Sequence, residues 1–265
     1  MDDKELLKVA ITAAIAGSVE ILEVYKKDFD VEFKADNSPL TLADRNAHKA
    51  ISIILATTGL PVLSEEGKNI PFEDRKSWNK FWMVDPLDGT KEFVKRNDEF
   101  TVNIALIAEG RPVAGVILVP VTGLLYFASL SSGAFKIVLD THGGYDPETL
   151  YKDAEPLPIE NNQQKYTVVG SRSHLSPETQ DFIDELSKKE PGLDFVSIGS
   201  SLKLCLVAEG KANIYPRFGP TMEWDTAAGQ AIVEASGGTV FIAGTSQAVH
   251  YNKPDLLNPY FIASR

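Results

Sequence analysis

The sequence predicts a layered α/β protein, and three observations support this fold class. Residues 100–138 are β-rich, and glycine or proline separates each apolar segment from the next, as in an antiparallel meander. Strands alternate with helices in the second half, which is typical of helices that pack on a sheet. The chain begins with apolar residues at three- and four-residue steps, which indicate an amphipathic helix. Its 265 residues are enough to bury a substantial core.

The first half is predicted to begin with two helices and then to become β-rich. The apolar spacing predicts one helix over residues 4–27 and a second over residues 42–58, which Gly59 and Pro61 end. Two short apolar strands follow, PVLS and FWMVD, and each leads directly into acidic residues. The four strands of the meander come next.

The second half is predicted to be an alternating α/β unit. Residues 139–165 are polar and rich in turn formers, so we expect a linker or surface excursion there. This interpretation divides the chain into an N-terminal α+β domain, 1–155, and a C-terminal α/β domain, 156–265. The predicted elements of the second half are, in order, strand YTVVG, helix SPETQDFIDELSKK, strand DFVSIG, helix SLKLCLVAEG, strand NIYP, helix DTAAGQAIVEAS and strand TVFIA.

Composition limits the partners of the chain. The net charge is −11, from 26 basic and 37 acidic residues, so duplex nucleic acid and anionic membranes would be repelled. The one cysteine, Cys205, excludes an intramolecular disulfide and lies in an apolar run, which predicts a packed core thiol. We find no signal peptide and no run of the roughly 18 apolar residues that a membrane span needs. A cytoplasmic protein is the default expectation.

The stretch DPLDGT places Asp85 and Asp88 three residues apart after the apolar run FWMV. A strand-to-helix turn, with Asp as cap and Pro in the first helical turn, would account for either acid alone. Two ionised carboxylates there would repel each other unless a cation lies between them. Mg²⁺ is a natural candidate because it takes oxygen ligands. The amides of Gly89 and Thr90, at the start of a helix, could bind phosphate.

Further acidic groups stand at the ends of other predicted elements. They are Glu65 and Glu66 after the strand PVLS, Asp225 as the predicted N-cap of a helix, and Asp44 in the first turn of the second helix. A solvated turn, helix capping and the helix dipole would explain them separately. If the groups converge in space, they would instead form a metal site beyond the carboxyl ends of strands.

The motifs SEE, DPLDGTKEF and WDTAAG resemble the lithium-sensitive, magnesium-dependent phosphatase superfamily. Its members include inositol monophosphatases, fructose-1,6-bisphosphatases and 3′(2′),5′-bisphosphate nucleotidases. The resemblance covers nearly the whole chain, as far as FIAS at the C-terminus, and implies a sugar-phosphatase-like α+β sandwich of alternating αβαβα layers. KEF after DGT, together with SPLTLAD, GSRSH, IGSSLKLCLVAEG and YPRFGPT, resembles the bacterial bisphosphate nucleotidase branch. Inositol monophosphatases usually carry TNF at the KEF position.

The resemblance implies hydrolysis of 3′-phosphoadenosine 5′-phosphate to AMP and phosphate, with two or three Mg²⁺ ions. A second role on 3′-phosphoadenosine 5′-phosphosulfate, in sulfate assimilation, is also implied. Five residues are implied as metal ligands, with Asp85 shared between ions: Glu65, Asp85, Leu87 through its carbonyl, Asp88 and Asp225. Catalytic roles around the attacking water fall to Glu65, Thr90 and Asp44. Because metal ions can lower the pKa of that water, no histidine base is required.

Substrate binding is implied for a further set of positions. These are Asp88, Gly89, Thr90, Ser173, His174, Ser200, Lys203, Arg217 and Asp225. Lys203 and Arg217 would meet the second phosphate, although a solvated helix lysine and a surface arginine are the ordinary alternatives. Ser200 and Ser201 precede the helix that contains Lys203, so amides and hydroxyls are expected to converge on an anion there.

Two other functions stay open at this point. One is an inositol monophosphatase or a fructose-1,6-bisphosphatase-type sugar phosphatase, and the other is a non-catalytic nucleotide- or metal-binding protein. The presence of Thr90 and Glu65, the residues expected to hold the water, argues against the second. The expected partner is a small-molecule nucleoside bisphosphate, with no polymeric nucleic acid and no integral membrane association. The oligomeric state stays open, and the resemblance allows a peripheral place at the inner membrane.

Inhibition by Li⁺ is implied by the resemblance, and inhibition by Ca²⁺ is expected on physical grounds. Ca²⁺ takes a larger and looser coordination shell than Mg²⁺, which would misplace the attacking water.

Overall fold

The computed structural model describes residues 1–26, 31–33, 39–139, 149–159, 165–171 and 176–265. The described residues form eight helices: α1 Asp3–Tyr25, α2 Leu42–Ala56, α3 Phe72–Arg75, α4 Thr90–Lys95, α5 Leu150–Asp153, α6 Pro177–Lys189, α7 Leu202–Glu209 and α8 Glu223–Ala235. They also form fourteen strands: β1 Val31–Phe33, β2 Pro39–Thr41, β3 Val62–Ser64, β4 Lys80–Asp88, β5 Thr101–Ala108, β6 Arg111–Val119, β7 Leu124–Ser129, β8 Gly133–Val138, β9 Glu155–Leu157, β10 Thr167–Gly170, β11 Asp194–Ser197, β12 Ile214–Arg217, β13 Thr239–Ile242 and β14 Phe261–Ser264.

The larger sheet has seven strands in the order β3-β4-β5-β6-β7-β8-β9. β3 is parallel to β4, and every later pair is antiparallel, so the predicted meander is confirmed. Side chains of β4 alternate between the two faces: Phe81 and Met83 lie in one core, Trp82 and Val84 in the other. This period of two is the one expected of a strand that is buried on both faces.

The structure of the stretch DPLDGT differs from the strand-to-helix turn that the sequence allowed. β4 continues to Asp88, with an irregularity in its pairing with β5 between Asp85 and Asp88, and α4 begins only at Thr90. Pro86 therefore lies within the end of a strand, and the alternative that placed it in the first turn of a helix is wrong. Gly89 makes the actual turn with φ 92°, a conformation that side chains with a Cβ rarely adopt.

The prediction of a linker over residues 139–165 is wrong for residues 150–157, which form α5 and β9. Leu150 is buried in α5, and β9 pairs antiparallel with β8 as the last strand of the larger sheet. Residues 140–148 and 160–164 lie outside the described residues. The division into domains at 155/156 stays a prediction, and β9 spans that boundary.

The smaller sheet has five strands in the order β11-β10-β12-β14-β13. β10 is parallel to both β11 and β12, whereas β14 is antiparallel to β12 and to β13. Each of the seven elements predicted for the second half is present. β14 was not predicted as a strand, although it occupies the position between β12 and β13. A short strand β1 pairs separately with β2.

Three cores arrange the elements in five layers. α1 and α2 pack on one face of the seven-stranded sheet, and α7 and α8 lie between its other face and the five-stranded sheet. A third, smaller core joins α6 to the far face of that sheet, where Val168 and Ile214 meet Ile183. The order is therefore αβαβα, and the predicted fold class is confirmed.

Small residues let the central helix α8 approach its neighbours closely. A Cβ added to Gly115 of β6 would lie 2.3 Å from the Ala228 carbonyl oxygen, and one added to Gly229 would lie 2.3 Å from a Leu204 side-chain atom. Cys205 of α7 is fully buried beside them, and burial raises the pKa of its thiol well above the usual value. The prediction of a packed core thiol is confirmed. Among the described residues, no helix is long and apolar enough to cross a membrane.

Candidate active site

Three carboxylates from three separate elements meet at the ends of β3, β4 and α8. Oxygen atoms of Glu65, Asp85 and Asp225 all lie within 4.8 Å of one another. The parallel pairing of β3 with β4 extends one residue further, because the Glu65 N–H donates to the Val84 carbonyl at 3.1 Å. That bond places Glu65 beside Asp85. These three acids therefore meet the condition of convergence that a metal site requires.

Asp85 is the buried centre of the group, with only 1% of its surface exposed. The Leu87 N–H donates to its Oδ1 at 3.0 Å, and the Leu87 side chain is packed in the core beneath. Burial raises the pKa of Asp85 well above its usual value, and the nearby charges of Glu65, Asp88, Asp225 and Asp44 raise it further. A carboxylate in such a place needs either a proton or a cation.

Asp225 lies at the third position of α8, so its predicted role as the N-cap is wrong. Met222 occupies the cap position, and its N–H donates to Asp225 Oδ2 at 2.8 Å, as in a capping box. Burial, followed by the charge of Asp88, raises the pKa of Asp225 to about 8. The group consists of carboxylate oxygens alone, held together against their mutual repulsion. This donor set fits a hard divalent cation such as Mg²⁺.

Asp88, the fourth predicted metal-ligating carboxylate, is held on one side by the protein. Three donor groups converge on its Oδ2: Ser201 N at 2.6 Å, Ser201 Oγ at 2.7 Å and Asn103 Nδ2 at 3.3 Å. Thr101 Oγ1 lies 3.5 Å from the same oxygen but donates to Asn103 Oδ1 at 2.9 Å. Ser201 was expected to bind an anion at the start of α7. The anionic group that it binds is the side chain of Asp88. Sequence reasoning did not identify Asn103 and Thr101, because nothing in their strand pattern distinguishes them from other buried residues.

Asp44 and His48 approach the cluster from α2. Asp44 is 2% exposed, lies in the first turn of α2 as predicted, and contributes to the raised pKa of Asp85. His48 Nδ1 lies 2.9 Å from the Oγ of Ser64, the residue that precedes Glu65 in the chain. Burial lowers the pKa of His48, although the charge of Glu66 acts in the opposite direction. The sequence did not assign a role to this histidine.

A cavity of about 170 Å³ adjoins the carboxylates. Its lining includes six of the nine predicted substrate-binding residues, namely Asp88, Gly89, Ser200, Lys203, Arg217 and Asp225. Thr90 follows Gly89 at the start of α4. The two remaining positions, Ser173 and His174, lie outside the described residues, but Ser171 lines the cavity.

Lys203 is buried beside this cavity, with 8% of its surface exposed. Its Nζ donates to the carbonyls of Ser200 at 2.5 Å and Ile198 at 3.3 Å. Burial lowers the pKa of Lys203 to about 8. The alternative of a solvated helix lysine is therefore wrong. The ammonium group stabilises the turn before α7, where Ser200 has a φ of 44°, unusual for a residue other than glycine.

Three polar atoms around the cavity are buried and have no hydrogen-bond partner among the described residues. They are Arg217 Nε, Ser200 Oγ and Thr221 Oγ1, while Arg217 Nη2 donates to the Pro220 carbonyl at 2.8 Å. Buried polar atoms are normally paired, so unpaired ones around a cavity indicate a ligand with acceptor atoms. Arg217 is half-buried and its Nε is fully buried, which argues against the surface-arginine alternative. Sequence reasoning missed Thr221, which is separated from Arg217 by only three residues.

The fold and the site together define a family of phosphatases. The sequence profile of the inositol monophosphatase family matches residues 2–265. The chain belongs to the inositol monophosphatase family, as the motifs predicted.

Within this family, the chain is similar to proteins named CysQ. The chain is 44% identical to the 3′(2′),5′-bisphosphate nucleotidase CysQ of Escherichia coli strain K12, over 92% of this chain and 93% of that protein. It is 34% identical to the CysQ of Haemophilus influenzae, over 98% and 93% of the two chains. The crystal structure of CysQ from Bacteroides thetaiotaomicron is 50% identical and superposes with a TM-score of 0.92, over 99% and 97% of the two chains. The predicted likeness to the nucleotidase branch is confirmed.

Proposed function

We propose that this protein is a Mg²⁺-dependent 3′(2′),5′-bisphosphate nucleotidase that hydrolyses 3′-phosphoadenosine 5′-phosphate to AMP and phosphate. The observation that carries the proposal is a cavity lined by two chemically different sets of groups. Its lining includes the carboxylates Asp88 and Asp225 together with Lys203 and the unpartnered donors of Arg217, Ser200 and Thr221. A substrate with two separated phosphates would use both sets. The relatives named CysQ support the same activity.

The residues of the cluster fit distinct tasks in this reaction. Mg²⁺ bound to Glu65, Asp85, Asp88, Asp225 and the Leu87 carbonyl would supply Lewis-acid charge and a water of lowered pKa. Glu65 is the exposed member of the cluster, so its carboxylate is accessible to that water.

Several chain groups would orient the water and the scissile phosphate. Thr90 stands at the first residue of α4, and its hydroxyl would hold the water together with Glu65. The N–H groups of Gly89 and Thr90 would contact the scissile phosphate. Asp44, which is buried and close enough to act on Asp85, would complete the acidic surroundings of the water and of a third ion.

The nucleotide would be held by the cationic and donor groups of the cavity. Arg217 and Lys203 would neutralise the phosphate that is not removed, and Ser173 and His174 would contact the ribose or the base. The same residues would bind the sulfated nucleotide 3′-phosphoadenosine 5′-phosphosulfate, so a second role in sulfate assimilation belongs to the proposal. A cytoplasmic location accords with these substrates.

A comparison of substrates tests the proposal. Phosphate release would be measured with Mg²⁺ and with 3′-phosphoadenosine 5′-phosphate, inositol 1-phosphate and fructose 1,6-bisphosphate as alternatives. We expect kcat/KM to be highest for the nucleotide and release to be inhibited by Li⁺ and by Ca²⁺. A preference for the inositol or sugar phosphate would refute the nucleotidase assignment. Nucleotide binding without any phosphate release would refute catalysis.

A further inference from the structure

Ser201 connects two segments of the candidate site, although its own side chain is shielded from solvent. It is 5% exposed and occupies the cap position of α7, directly between Ser200 and the helix that carries Lys203. Its N–H and its Oγ both reach Asp88 Oδ2, at 2.6 and 2.7 Å, and Oγ also lies 2.7 Å from the Asp225 carbonyl oxygen. One residue therefore contacts two segments that deliver carboxylates to the cluster.

The bonds to Asp88 are one-sided. The hydrogen bonds that this carboxylate accepts from described residues all end on Oδ2, and Oδ1 accepts none of them. Asn103 Nδ2 also donates to Ser201 Oγ at 2.8 Å, which directs the hydroxyl proton away from Asn103. That proton has two acceptors, Asp88 Oδ2 and the Asp225 carbonyl. The carboxylate is thus fixed in rotation, and one oxygen stays available to a cation.

We propose that Ser201 is a positioning residue for metal binding: it fixes Asp88 through Oδ2 and the first turn of α8 through the Asp225 carbonyl, so that Asp88 Oδ1 is presented to one of the ions. This inference rests on the proposed function, because it concerns the same cluster. Partners that orient a metal-ligating group commonly change metal affinity by about 10- to 100-fold when they are removed. Ser201 therefore contributes to cation affinity without contacting the cation.

Direct titration with Mn²⁺, followed by electron paramagnetic resonance, tests the inference without relying on turnover. In Ser201→Ala and Ser201→Cys the Oγ donor is lost, while side-chain volume decreases in one and increases in the other. We expect both variants to weaken one Mn²⁺ site by about 10- to 100-fold. A second Mn²⁺ site, held by Glu65 and Asp85, should keep its affinity within about threefold.

Ser200→Ala is the matched control, because Ser200 precedes Ser201 but its Oγ has no partner among the described residues. It should leave both Mn²⁺ affinities unchanged and should raise the KM for 3′-phosphoadenosine 5′-phosphate. In the Ser201 variants, by contrast, Mn²⁺ affinity should fall, whereas the KM for 3′-phosphoadenosine 5′-phosphate, measured at saturating metal, should stay unchanged. Melting temperatures in EDTA, measured for all three variants, verify that each is folded.

The outcomes separate this inference from the function on which it rests. Wild-type affinity for Mn²⁺ in both Ser201 variants, in a protein that hydrolyses the nucleotide, would overturn the positioning role alone. Equal weakening in Ser200→Ala would also overturn it, because the effect would then belong to the whole turn. A wild-type protein that binds no Mn²⁺ would overturn the proposed function as well.

Discussion

Asp85 illustrates how the site is built against the preferences of its own residues. The side chain is buried among like charges, and both burial and those charges raise its pKa. In the absence of a cation, this arrangement costs stability, because an ionised carboxylate in low dielectric surroundings is unfavourable. The same arrangement gives a bound cation much of its affinity.

Replacing Asp85 with Asn should therefore separate activity from stability. The amide oxygen can still accept the Leu87 N–H, but the charge is lost. We expect phosphate release to fall by more than about 100-fold, the upper end of the loss seen for outer ligand partners. Without metal, the melting temperature should rise by about 2–4 °C for each kcal/mol of repulsion removed. Calorimetry in EDTA measures this rise, and a lower melting temperature would contradict the explanation.

Arg217 should be sensitive even to replacement by Lys. Its unpartnered Nε and its Nη2 lie in the fixed geometry of one guanidinium group, which an ammonium group does not reproduce. We expect Arg217→Lys to raise the KM for 3′-phosphoadenosine 5′-phosphate by about tenfold, the loss of roughly one charged hydrogen bond. The change in kcat should be smaller than about threefold.

Adenosine 3′-phosphate, which lacks the second phosphate, serves as the control substrate for Arg217→Lys. Steady-state kinetics on this substrate should not distinguish the variant from the wild type. An equal loss on both substrates would show that Arg217 does not recognise the second phosphate.

At the residue scale, the sequence predicted those groups that a motif carries. Glu65, Asp85 and Asp225 converge as expected, because each stands at the end of an element whose periodicity was readable. The bonds from Ser201 to Asp88 join segments 113 residues apart, and no local pattern contains that information. Thr221 was missed for a related reason: its hydroxyl matters only because a cavity adjoins it.

At the element scale, α8 determines how closely the layers approach. It contacts five strands of the seven-stranded sheet, β4 to β8, and also α7 and β13. The small residues that follow Asp225, among them Ala228 and Gly229, let α8 approach its neighbours closely. Part of the required space is given by Gly115 on the facing strand β6, which has no sequence signal of its own.

Replacing Gly115 with Ala should destabilise the protein. The added Cβ would lie 2.3 Å from the Ala228 carbonyl oxygen, so either the strand or the helix must move. Overpacking of this kind costs about 1–3 kcal/mol, or more where the backbone itself is in the way. Gly219→Ala is the control, since its added Cβ would meet Arg217 at an ordinary 3.8 Å. Thermal unfolding should show a clear loss for the first variant and almost none for the second.

Element boundaries show where periodicity stops being informative. The helices and the meander were predicted because their apolar spacing extends over many residues. The end of β4 was misjudged because proline usually marks the end of a strand or a turn, whereas here an irregularity in the pairing accommodates Pro86. β9 and β14 were not recognised in the sequence, and they are defined by their pairing, β9 with β8 and β14 with β12 and β13.

At the scale of the whole molecule, the carboxylate cluster links stability to pH and to metal. Folding raises the pKa of Asp225 to about 8 and that of Asp85 in the same direction. Between about pH 4, where a free Asp titrates, and about pH 8, the folded protein binds protons that the unfolded chain has released. The contribution of these groups to stability therefore declines as the pH rises through this window.

Melting temperatures from pH 5.5 to 8.5, with EDTA and with Mg²⁺, test this linkage. The increase in melting temperature caused by Mg²⁺ should be larger at pH 8.5 than at pH 5.5, because protons no longer compete for the cluster. Asp85→Asn should show a weaker pH dependence in EDTA than the wild type. A Mg²⁺ effect that is independent of pH would contradict the raised pKa values.

The single thiol, that of Cys205, can report on opening of the protein interior. It lies within the helical layer between the two sheets and is fully buried, so a thiol reagent reaches it only when that layer opens. The rate of modification then measures the population of open molecules, without an added label. Saturating Mg²⁺ should slow the reaction with Ellman's reagent by the factor through which it stabilises the closed form. An unchanged rate would mean that α7 separates from its neighbours independently of the cluster.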